Sequence, residues 1–168
     1  IRAGKFGLDA AIRRYRWFSP LGLGAAHDFL RNETLDQLNL HDERIASLRE
    51  VADARPGPLT ETDLALSLVL HRGDVMGARA MLRRADGKSF TPLVQACRRL
   101  VLAIAALEEG DASGAADVDG ARREFLLAAG ATGAQWVPLF DALAARAAAL
   151  AGRLDEAETF LRRATPPL

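Results

Sequence analysis

Two stretches decide the fold: Gly73-Asp74-Val75-Met76-Gly77-Ala78 running into Leu82-Arg83-Arg84-Ala85, and Gly152-Arg153-Leu154-Asp155-Glu156-Ala157 running into Leu161-Arg162-Arg163-Ala164. From each glycine, an alanine lies five residues on, a leucine nine and a second alanine twelve. A third copy keeps the inner spacing as Ala121, Phe125 and Ala128, with its turn glycine, Gly110, six residues too early. The residues 111–116 therefore read as an insertion. Spacings of four and seven place the alanine and the large residue on one helix face, and the glycine ahead of them stops the preceding helix.

This pattern resembles the tetratricopeptide-repeat family. That resemblance implies antiparallel helix pairs in which small residues let neighbours approach and a large residue fills the space between pairs. The marker alanines stand 43 and 36 residues apart (78 to 121, 121 to 157), against a family period of about 34. The likeness covers roughly residues 59–168, and the aromatic positions of the family's first helix are absent. Residues 1–58 match no repeat and are read as an N-terminal helical segment of unassigned role, in a single continuous domain with the repeats. The expected architecture is all-α, an α-solenoid of about nine helices near 8–17, 24–32, 42–54, 61–72, 75–85, 92–109, 116–129, 134–151 and 154–164.

Punctuation along the chain gives the same divisions. Ser19-Pro20, Pro56-Gly57-Pro58, Gly73-Asp74, Asp86-Gly87, Gly110-Asp111, Gly130, Gly133, Gly152 and Pro166-Pro167 are turn or stop signals. Thr60 with Asp63 and Thr132 with Gln135 have capping-box spacing, and Thr91-Pro92 puts proline at a first helical position. No segment alternates with period two, so no strand is expected.

Composition agrees. Apolar residues are 49% of the 168, dominated by alanine and leucine, the strongest helix formers. Lysine and arginine total 22 and the acids 22, without the basic excess of a nucleic-acid binder. Nearly all the cations are arginine, a bias that suggests a GC-rich, bacterial genome. The longest evident apolar run, Leu100–Leu107, is far short of the ~20 residues of a membrane span, and no signal-peptide pattern opens the chain. A cytoplasmic setting is expected. The chain begins at Ile1 and not Met, as a fragment or processed product would.

Groups that could carry chemistry are dispersed. His27, His41 and His71 fall on separate segments, without the i, i+4 spacing of a zinc helix. Asp111, Asp117 and Asp119 fail the EF-hand frame, because Ala115 and Leu126 would occupy ligand positions. Cys97 is the one cysteine, excluding an internal disulfide, and reads as a small apolar core residue. Arg13-Arg14-Tyr15-Arg16-Trp17-Phe18 mixes basic and aromatic side chains but reads as an amphipathic helix. No metal, cofactor or catalytic residue is expected.

The leading functional expectation is a non-catalytic module that binds a protein or peptide in a concave groove, as part of a larger regulatory or assembly protein. In the family, that groove is lined by the first helix of each pair. Carried over by position, the resemblance implies a lining of Asp63, Ser67 and Leu70, then Leu100, Ile104 and Leu107, then Ala142, Arg146 and Ala149. The last helix, with no capping helix after it, offers a route to self-association. The competing reading is a helical enzyme, or an enzyme's accessory domain, with a site built from residues 1–58.

Overall fold

Glycine and proline set the helix ends. A computed structural model describes residues 24–111 and 116–164 of the chain. It divides them between two units, Ile1–Arg55 and Pro56–Leu168. Among the described residues there are eight α-helices and one 3₁₀ segment, and no strand. The helix expected at 8–17 lies outside the described residues.

In the first unit α1 (Gly24–Gln37) packs on α2 (His41–Ala54). Asn39 turns the chain between them at φ 54°, a left-handed conformation that asparagine tolerates better than most residues. Leu35, Ile45, Leu48, Val51 and Ala52 are buried, and Arg31 reaches Glu50 at 3.2 Å.

The second unit contains α3 (Pro58–Arg72), α4 (Val75–Arg84), α5 (Pro92–Glu108) and α6 (Ala116–Ala129). A 3₁₀ segment (Gly130–Trp136), α7 (Val137–Leu150) and α8 (Leu154–Ala164) follow. Gly73, Gly110 and Gly152 sit just beyond α3, α5 and α7, at φ 59°, 76° and 75°. This left-handed turn lets the chain close on the helix it has left: Asp111 N–H donates to the Ala106 carbonyl and Arg153 N–H to that of Ala148, both at 2.9 Å. Asp74 then starts α4 by accepting from Gly77 N–H at 2.8 Å, and Thr91 starts α5 by accepting from Val94 N–H at 3.4 Å.

Two expected starts are corrected. Thr60 does not cap α3; the helix begins at Pro58, and the Thr60 hydroxyl donates to the Gly57 carbonyl at 3.1 Å. Thr132 does not cap α7, because the chain runs through 3₁₀ geometry until Val137. Pro138, lacking an N–H, fits in the first turn that follows.

The helices pack as neighbours: α3 with α4, α5 with α6, α7 with α8. The first helix of each later pair also touches both helices of the pair before it. Thus α5 meets α3 and α4, while α7 meets α5 and α6. Ala78, Ala121 and Ala157 are buried, as the small-residue rule requires. Leu82 and Phe125 are buried beside them, but Leu161, expected in the core at the equivalent place, is 53% exposed. The difference is one of cover: α5 follows the α3–α4 pair and α7 follows α5–α6, whereas no described helix follows α8.

Candidate interaction surface

The groove lining expected from the sequence does not form one open surface. Leu100, Ile104 and Leu107 are at most 2% exposed, and Ser67 is fully buried. The Ser67 hydroxyl donates to the Asp63 carbonyl four residues back, at 2.9 Å, which satisfies it inside its own helix. Asp63 and Leu70 are half-buried. These positions close because α5 packs against α3, α4, α6 and α7, so most of its circumference is covered.

At the matching places on α7 the outcome is reversed. Ala142, Arg146 and Ala149 are all exposed. Arg146 donates to both carboxylate oxygens of Glu108 on α5, one of them at 3.1 Å, so its guanidinium is tied across the pairs. That hydrogen bond raises the already high pKa of Arg146.

Several charged groups near these faces are similarly tied across elements. Glu61 is buried on α3, where it accepts from Lys88 at 2.9 Å and lies 3.5 Å from Arg84. Asp141 is buried on α7 and accepts from Arg122 of α6 at 3.0 Å. Arg98 bonds the Leu82 carbonyl (2.9 Å) and Asp86 (2.6 Å) and lies over the Phe90 ring, fastening the loop between α4 and α5. A buried carboxylate needs such a partner, so these ion pairs read as joints in the packing. Asp117 and Asp119 sit in the first turn of α6, where the helix dipole favours them, and His41 and His71 occupy helix ends.

Cys97 is half-buried and not a full core residue. Burial, with the nearby Asp63 carboxylate, pushes its thiol up to about 11. Alkylation of native protein is therefore expected to be slow at neutral pH, to rise steadily with pH and to level off only near 11, since the thiolate is the reactive form. The unfolded chain should react with an ordinary cysteine profile; a native rate already saturated at pH 8 would contradict this environment.

Leu59, Met76, Leu93, Leu102 and Leu127 are exposed apolar side chains, and so are three leucines of the last pair. Leu150, Leu154 and Leu161 are 42%, 69% and 53% exposed, whereas Leu82 and Phe125, each four residues after a buried alanine like Leu161, are buried. The core place expected for Leu161 from its spacing is thus corrected, since exposure depends on what packs next. No helix among the described residues is long and apolar enough to cross a membrane. Compared with known proteins, the chain matches no family, no curated sequence and no solved structure.

Proposed function

We propose that this chain is a non-catalytic protein-interaction module, a tetratricopeptide-like array of helix pairs within a cytoplasmic bacterial assembly or regulatory protein. Its docking surface is the open side of the last pair, α7 and α8, and its ligand is a helical segment of a protein. The observation that carries this reading is the series Leu82, Phe125, Leu161: one repeat position, 4%, 4% and 53% exposed. The precedent for the ligand's shape is internal, because α5 and α7 are the helices that follow and touch the earlier pairs. An apolar side chain at a stacking position favours burial by about 25 cal/mol per Å² of area covered.

The test is a photoreactive amino acid placed at position 161 in the chain expressed in its own cells. A specific adduct is expected there and none at exposed position 123 on α6. Equal adducts at both positions, or none at 161, would remove α8 from the docking surface.

A further inference from the structure

The face of α8 is self-complementary. Leu154 and Leu161 are seven residues apart, as are Asp155 and Arg162, so each couple forms a short row along the helix. At 3.6 residues per turn the leucine row lies beside buried Ala157. Glu158, Arg162 and Asp155 follow it on the side away from that alanine, and all five of these side chains are exposed. The acidic residues Asp155, Glu156 and Glu158 occupy the first half of the helix and Arg162 and Arg163 the last turn.

Resting on the reading of α8 as an open docking face, we propose that its occupant is a second copy of this chain, with the two α8 helices antiparallel about a two-fold axis. A two-fold contact requires that one surface fit itself. Here, setting Asp155 opposite Arg162 of the second copy also sets Arg162 opposite that copy's Asp155. In this register Leu154 and Leu161 of the second copy are offset by two residues, about 3 Å along the axis, so the leucines interleave instead of colliding. Arg162 already donates to Glu158 at 2.5 Å within its own helix. A guanidinium has five donors in a planar fork, so it can serve a second carboxylate as well. A parallel arrangement would put acid against acid and arginine against arginine. The apolar rows supply attraction; the charges select the antiparallel orientation. A contact built mainly from one 11-residue helix per copy is small, at the low end of the interface range, so the dimer is weak and concentration-dependent.

Sedimentation equilibrium on the purified chain, from low to high micromolar, is the test. The unmodified protein should move from monomer to dimer and stop there. Asp155→Arg and Arg162→Asp should each weaken self-association by ~10-fold or more, because each places like charges opposite one another. An equimolar mixture of the two variants should recover the dimer, since each then faces its opposite. Circular dichroism checks that both variants keep the helical fold. A monomer throughout, variants that dimerise unchanged, a mixture no better than its components, or growth beyond the dimer would each overturn the proposal. Failure here leaves the wider reading separable: a monomer that still forms an adduct from position 161 with a different protein retains the docking face and loses only the second copy.

Discussion

Ile104→Glu is expected to abolish the native fold. Ile104 is 2% exposed in the C-terminal part of α5, with Leu100 and Leu107 equally buried on either side along the helix. A carboxylate there would lose its water without gaining a counter-ion, at a cost of several kcal/mol even if it takes up a proton. A domain stable by only about 5–15 kcal/mol does not absorb that together with the lost isoleucine packing. Far-ultraviolet circular dichroism should show no cooperative melting. Leu102→Glu is the control on the same helix: its side chain is 44% exposed, and the change should stay within about 0.5 kcal/mol. If Ile104→Glu folded normally, the groove would be open after all, and Ile104 would return as a partner contact.

Phe125→Ala is expected to cost about 3–5 kcal/mol, the range for removing a buried phenylalanine. Phe125 joins three elements. Its ring lies 5.3 Å from that of Trp136 in the 3₁₀ segment and 5.5 Å from that of Phe140 on α7, both in tilted geometry. Such pairs add roughly 0.5–1.5 kcal/mol beyond area burial, so the loss should fall toward the upper end. Denaturant unfolding should show a lower midpoint with little change in slope. A shift below about 1 kcal/mol would mean that the cluster collapses to fill the space and does not hold the pairs together.

The helices were legible because their ends are written locally. Gly73, Gly110 and Gly152 need only their own backbone conformation to stop a helix, and Thr91-Pro92 needs only its own side chain and ring to start one. The start at Thr60 is misplaced because Pro58 already opens the first turn two residues earlier, and the start at Thr132 because the chain stays in 3₁₀ geometry until Val137. The groove was misread for a different reason. Periodicity finds the apolar face of a helix but does not say whether that face meets solvent, a ligand or another helix. One local signal did bear on it: Leu100–Leu107 is an unbroken apolar run, as expected of a helix covered on several sides. The ion pairs Lys88–Glu61 and Arg146–Glu108 join residues 27 and 38 apart, and no local pattern announces them.

The most direct measurement compares one repeat position in its three settings: urea unfolding of Leu82→Ala, Phe125→Ala and Leu161→Ala at low protein concentration. If a following helix is what makes this position core, Leu82→Ala should lose about 2–5 kcal/mol and Phe125→Ala about 3–5. Leu161→Ala should stay within about 0.5 kcal/mol of the parent protein. A loss at Leu161 as large as at Phe125 would show that α8 is already covered, and would contradict both the stacking order and the docking face assigned to the last pair.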